Sequence, residues 1–143
     1  MRDEFLVYYR SLNLSQVVMD RINNFYDTFS IICPEEITGT FVTDFIKEDG
    51  ARDFQNLWFF SQNFIMEADA FLSEQNIDIV PSTKISRIQF EYRDFNFISS
   101  TDDSRLNIDF ILSERVSGHF KSTKQNCDIL LNIYNCYLRQ GLV

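Results

Sequence analysis

Few residues in this chain have the types and spacing that catalysis or metal binding requires. His119 is the only histidine, and the period-two alternation of a strand places Ser117 and Lys121 on its face. One histidine and three separated cysteines cannot assemble the common zinc sites. We therefore predict no catalytic residue, no metal site and no cofactor, and we assign His119 to a polar strand surface.

Paired carboxylates are the remaining source of acid–base chemistry. Glu67 and Asp69 point the same way on a predicted strand, and Asp44 falls on the same predicted sheet surface. An enzyme that uses such acids inside a cavity is one hypothesis. Alternating acids on a half-exposed strand are more simply its wet side, and no nucleophile, phosphate-loop or dinucleotide motif accompanies them.

The aromatic residues are denser than alternating core positions require. The chain has 15 phenylalanines, and Trp58 and Phe60 fall on the strand face opposite Phe59. One interpretation is that the N-terminal helices cover this second face. The other is that some rings line a cavity or an exposed patch for a partner, because aromatic side chains dominate interfaces and ligand pockets. The candidate ligand- or partner-binding residues are Trp58, Phe60, Phe95 and Phe97.

Charge and composition exclude several classes of partner. The net charge is −8, with 5 basic and 14 acidic residues in 1–83 and 8 basic and 7 acidic residues in 84–143. Nucleic acids and anionic membranes bind clustered basic residues, so we predict neither as a partner. No signal peptide or transmembrane segment is predicted, which favours a cytoplasmic protein with three reduced cysteines.

Hydrophobic periodicity predicts a helical region over 1–36. Apolar residues recur at helical spacing from Val18 to Phe29, and Ser15 precedes them as an N-cap. A shorter cluster from Phe5 to Tyr9 predicts one or two earlier helical turns that Asn13 breaks. Pro34 ends the region, because its ring disfavours helical geometry in the residue before it.

The period then changes to two over 37–121, which predicts about seven antiparallel strands. The clearest alternation lies at 87–93 and 105–112, where each strand has one apolar and one polar face. Polar turns are predicted at 48–50, 74–76 and 99–104. A capping box at Ser122 and Gln125 opens the C-terminal helix, 122–140, and Gly141 is its predicted stop.

Together these elements predict an α+β fold in a single domain, 1–143. It has an N-terminal helical region, about seven antiparallel strands in a bent sheet or small barrel, and a C-terminal capping helix. The apolar stripe of that helix packs on the strands, because an amphipathic helix must bury one face.

This order of elements resembles a pleckstrin-homology-like (PH-like) domain over residues 37–138. The resemblance rests on the opening hairpin at 38–60, the stretch 78–85 that leads into the next strand, and the strand 116–121 that leads into the capped helix. It implies two bent sheets closed at one end by the helix. Many members of the family bind phosphoinositides or peptides, so a binding function is implied as well.

The residues at the family's lipid site depart from its basic pattern. Lys47 and Arg52 are flanked by Glu48, Asp49 and Asp53, so the local field nearly cancels and phosphoinositide binding is disfavoured. We therefore predict a noncatalytic intracellular interaction module that binds protein, and homo-oligomerisation stays open. The alternative is a small barrel or cone that binds an apolar ligand in an aromatic-lined cavity.

Overall fold

A computed structural model of the chain describes most of its residues. The described ranges are 1–46, 52–69, 77–92, 106–112, 117–122 and 127–142, with side chains described except at 43–46, 52–56 and 69. The chain forms two compact units, Met1–Ile79 and Val80–Val143. Its predicted organisation as one domain stays a prediction.

Two helices form the N-terminal region, as predicted: α1 is Asp3–Ser11 and α2 is Gln16–Ile32. Asn13 separates them with a φ of 55°, in the left-handed region that asparagine tolerates better than most residues. Ser15 caps α2, because its hydroxyl accepts a hydrogen bond from the Val18 N–H at 3.4 Å. Cys33 is extended before Pro34, so α2 ends where the sequence predicts.

Within the described ranges seven antiparallel strands follow, in two sheets with the orders β1-β2-β3-β4 and β5-β6-β7. The predicted α+β class and strand number are confirmed. The sheets are separated at Pro81 and a 3-10 turn at Ser82–Lys84, since proline cannot donate to a continuing ladder. The predicted turns at 48–50, 74–76 and 99–104 lie outside the described residues. The strands are β1 Gly39–Ile46, β2 Arg52–Phe60, β3 Phe64–Asp69, β4 Ile77–Pro81, β5 Arg87–Tyr92, β6 Leu106–Ile111 and β7 Ser117–Lys121.

In the first unit, α2 packs on one face of the first sheet. The ring of Phe59, on β2, meets the rings of Tyr26 and Phe29 edge to face at centroid distances of 5.7 and 5.4 Å. Phe59 and Phe29 have no exposed surface. The helix α2 therefore covers the face of the sheet that carries Phe59. The interpretation that the N-terminal helices cover the opposite face, that of Trp58 and Phe60, stays a prediction.

A buried hydroxyl network joins α1 to the first sheet. The Thr40 hydroxyl donates to the Trp58 carbonyl at 3.0 Å, which leaves it to accept a hydrogen bond from the Tyr9 hydroxyl. Burial raises the pKa of Tyr9 well above its ordinary value, so Tyr9 stays protonated and able to donate. The Tyr8 hydroxyl accepts a further bond from the Val42 N–H at 3.1 Å.

Glu35 links the segment after α2 to the turn between β2 and β3. Its carboxylate accepts hydrogen bonds from the side-chain amide and, at 3.0 Å, the backbone N–H of Asn63. The side-chain bond is the main reason why the pKa of Glu35 is lowered. The ionised carboxylate therefore stabilises the fold above the ordinary pKa of glutamate, and this contribution is lost as the pH falls through the lowered pKa.

We expect Glu35→Gln to lower the free energy of unfolding at neutral pH and to lose this effect in acid. The difference between the variant and the parent should shrink as the pH falls below the ordinary glutamate pKa, about 4.3. Urea unfolding at several pH values measures it. Glu36→Gln, at the neighbouring exposed position, is the matched control. An equal difference at every pH would contradict the role of the Glu35 charge.

The second unit ends in a helical region of three parts: α3 at Cys127–Ile133, a π-helical turn at Tyr134–Leu138 and a 3-10 turn at Arg139–Leu142. Ser122, the predicted start of the helix, instead extends the pairing of β6 with β7. Its N–H donates to the Leu106 carbonyl at 2.8 Å, and its hydroxyl accepts from the Leu106 N–H at 2.9 Å. Gln125, its predicted capping partner, lies outside the described residues.

Candidate functional site

The second sheet has one apolar face, and this face is only partly covered at its edge strand. On the central strand β6, Ile108 and Phe110 are at most 1% exposed. Their neighbours across the ladder on β5, Phe90 and Ile88, lie on the same face, yet Phe90 is 42% exposed. Tyr92, one further pair along, is 60% exposed. The apolar face therefore reaches solvent along β5.

The C-terminal helical region borders this exposed strip. The rings of Phe90 and Tyr134 meet edge to face, with centroids 4.6 Å apart. Tyr134 is the first residue of the π-helical turn, and such turns are frequent at functional sites. The Tyr134 ring of the helical region therefore flanks the exposed strip on β5.

The hydrogen-bonding groups of β5 can be oriented from the bonds of β6. In an antiparallel strand, successive residues turn their backbone groups to opposite neighbours. Leu106 bonds towards β7 through Ser122, so Ile111 turns towards β5, where its carbonyl accepts from the Ser86 N–H at 2.8 Å. Every second residue of β6 before Ile111 turns the same way, so the residues of β5 that pair with them bond to β6. These β5 residues are Arg87, Gln89 and Glu91.

The alternate residues of β5 therefore turn their backbone groups away from β6. Among the described strands, β6 is the only hydrogen-bonded neighbour of β5. An edge strand of this kind is a template on which another extended chain can pair. We name Ile88, Phe90 and Tyr92, with their outward backbone groups and their apolar side chains, the β5 edge.

The opposite face of the second sheet is polar. Arg87, Gln89 and Glu91 are exposed there, and the Arg87 guanidinium donates to the Gln89 side chain at 3.4 Å. His119 lies on this face across from Asp109, and its ring contacts the Asp109 carboxylate. Both side chains are more than half exposed, which agrees with the polar strand surface predicted for His119.

The predicted binding residues do not come together at this surface. Trp58 and Phe60 have no exposed surface and lie on β2 in the first unit. Phe95 and Phe97 lie outside the described residues. A role of these four residues in binding a partner or an apolar ligand stays a prediction from sequence.

The carboxylates considered for chemistry lie on β1 and β3 of the first sheet. Glu67 pairs with Trp58 across β2 and β3, while the side chains of Asp44 and Asp69 lie outside the described set. No group of three or more His, Cys, Asp or Glu that could hold a metal ion occurs within the described ranges. All three cysteines are free thiols, as predicted. The basic and acidic side chains considered for lipid binding, at 47–49, 52 and 53, are not described.

The β5 edge is the site that sequence reasoning missed. Alternation correctly places Phe90 and Tyr92 on the apolar face of a strand, but it carries no information about which strand lies at the edge of a sheet. The sequence does carry one sign of an edge position. Charged residues lie near both ends of this strand, and edge strands commonly carry charges.

Comparisons with known proteins add no relative. No family model matches the chain, and neither curated proteins nor solved structures give a match. Among the described helices, none combines the length and apolarity needed to cross a lipid bilayer.

Proposed function

We propose that this chain is a noncatalytic protein-binding module of PH-like architecture that acts in the cytoplasm. The observation that carries the proposal is the β5 edge, where outward backbone groups and half-exposed apolar side chains belong to the same three residues. An extended segment of a partner protein adds to this edge as a further strand. The order of four strands, three strands and a C-terminal helix supports the PH-like architecture.

The chemistry of the β5 edge suits strand addition. Main-chain hydrogen bonds to the outward groups of Ile88 and Phe90 supply affinity that depends little on the partner's sequence. Side chains of the added strand alternate, so every second one lies beside Phe90 and the Tyr134 ring. The apolar strip therefore selects segments with apolar residues at alternate positions.

Charge supports a protein partner over a nucleic acid or an anionic lipid. The first unit has 5 basic and 14 acidic residues, a balance of −9, and the second has 8 basic and 7 acidic residues, a balance of +1. On β5, Arg87 and Glu91 cancel. A polyanion would gain no net attraction from such a surface.

We expect random peptides displayed on phage to be enriched on the immobilised full chain when they carry apolar residues at alternate positions. Phe90→Lys should weaken binding of an enriched peptide by about tenfold or more, because it puts a charge on the apolar strip. Titration calorimetry or fluorescence anisotropy measures the affinity.

Val17→Lys is the matched control, because Val17 is an apolar residue that is 65% exposed on α2. It should leave peptide binding unchanged. Circular dichroism establishes that both variants fold. Equal affinity for the parent and the folded Phe90→Lys variant would contradict strand addition at the β5 edge.

A further inference from the structure

We propose that the extended segment that pairs with the β5 edge is β5 of a second copy of this chain. Two copies meet antiparallel about a two-fold axis at Gln89, so that two three-stranded sheets join into one of six strands. This inference rests on the proposed function, because it requires the β5 edge to accept an added strand.

The observation that carries the inference is the order of charges along β5. Arg87 and Glu91 are exposed on the polar face and lie two residues to either side of Gln89. With the axis at Gln89, each Arg87 lies directly opposite Glu91 of the second copy. The symmetry produces this ion pair twice, and opposite charges at facing positions stabilise a strand pair.

The apolar face of β5 matches itself in the same register. Each Ile88 lies opposite Phe90 of the second copy, and an aromatic residue facing a β-branched one is a favourable pair in sheets. The backbone groups of Ile88 and Phe90 turn outward, so these two pairs form about four main-chain hydrogen bonds. Charge, apolar contact and hydrogen bonding therefore agree on one register.

Other alignments of two β5 strands lose this agreement. Parallel strands would set Arg87 opposite Arg87, and an antiparallel pair centred on any other residue would separate both ion pairs. Glu91 also has contacts within its own chain, and a carboxylate accepts from more than one donor, so these contacts do not oppose the pairing. A contact of five β5 residues per copy, 87–91, is small, so we expect a weak dimer that depends on concentration.

Charge reversal tests the pairing directly. We expect sedimentation velocity, with concentrations from micromolar to millimolar, to show a dimer for the parent chain. Arg87→Glu should place an acid opposite an acid in the dimer, and Glu91→Arg should place a base opposite a base. Each substitution should weaken self-association by about tenfold or more. An equimolar mixture of the two variants should recover the dimer, because both facing pairs are then opposite in charge.

Arg139→Glu is the matched control for Arg87→Glu, because it makes the same change in net charge at an exposed position outside β5. It should dimerise like the parent. A parent chain that is monomeric throughout the concentration range overturns the inference. Variants that weaken the dimer alone but do not recover it when mixed also overturn it.

Disulfide trapping tests the register. In the proposed dimer the two Gln89 residues face each other in a pair without main-chain hydrogen bonds, with Cα atoms about 4.5 Å apart. Gln89→Cys, in a Cys136→Ser background that removes the exposed thiol, should cross-link on oxidation. Arg87→Cys in that background should not, because the two 87 positions lie about 14 Å apart.

The two proposals fail in different ways. If Phe90→Lys abolishes peptide binding while the parent chain stays monomeric and Gln89→Cys does not cross-link, the proposed β5–β5 dimer is overturned. The proposal of a strand-addition module then stands. A dimer that neither charge reversal nor cross-linking places at β5 also overturns the inference. If Phe90→Lys keeps both peptide binding and dimerisation, both proposals are overturned.

Discussion

Replacing Gly118 with alanine is expected to lower the free energy of unfolding by about 1–3 kcal/mol. Gly118 lies on β7 directly across from Phe110 on β6, and the Phe110 ring occupies the space above the glycine. A Cβ atom at position 118 would lie 2.2 Å from this ring. The ring has little room to move, because it is 1% exposed and meets the Phe120 ring with centroids 5.0 Å apart.

Urea unfolding measures this effect, and a double-mutant cycle assigns it to the ring. Phe110→Leu removes the ring atoms that clash, so Gly118→Ala should cost less in that background than in the parent. Ser117→Ala, at the exposed neighbouring position of the same strand, is the control for strand propensity. An additive cycle would show that the ring does not fill the space above Gly118.

Alternation predicted the strands of the second sheet well, because a half-buried strand repeats its environment every two residues. From 106 to 112 the predicted apolar positions are buried and Ile111 is exposed on the other face, while Asn107 departs from the pattern as a predicted polar position that is buried. Helix ends were predictable for a similar local reason. The Ser15 cap, Asn13 and Pro34 act through their own backbone and nearest neighbours.

Alternation along the sequence carries no information about the order of the strands in space. Phe90 and Ile108 show the same local pattern, and their different exposure follows from the edge position of one and the central position of the other. The C-terminal helix shows a second limit. The apolar stripe predicted for a regular C-terminal helix includes Ile129, Leu130 and Ile133. The structure buries Leu130 and Ile133 and leaves Ile129 36% exposed.

The aromatic density that distinguishes the sequence has a structural explanation on β2. Alternation puts Phe59 on one face of the first sheet and Trp58 and Phe60 on the other, and all three are fully buried. The sheet is therefore apolar on both faces, which is why this strand reads as a continuous aromatic run. A strand with one wet face would show polar residues in every second position.

Phe59→Ala is expected to have the largest effect of the single substitutions, about 3–5 kcal/mol of unfolding free energy. The ring is fully buried and supplies the edge-to-face contacts with Tyr26 and Phe29 that hold α2 on the sheet. Its removal leaves a cavity between two rigid elements, and the loss of contact area adds to the cost of that cavity. Phe59→Leu keeps most of the volume and should cost less.

Phe90→Ala is the matched comparison, since it makes the same chemical change on a strand where the ring is 42% exposed. It should cost less than about 2 kcal/mol, because less apolar surface leaves water there on folding. Thermal and urea unfolding of both variants measure the difference, and limited proteolysis follows the release of α2. Equal costs at the two positions would contradict the assignment of Phe59 to the core and of Phe90 to a surface, and with it the reason for proposing a binding site on β5.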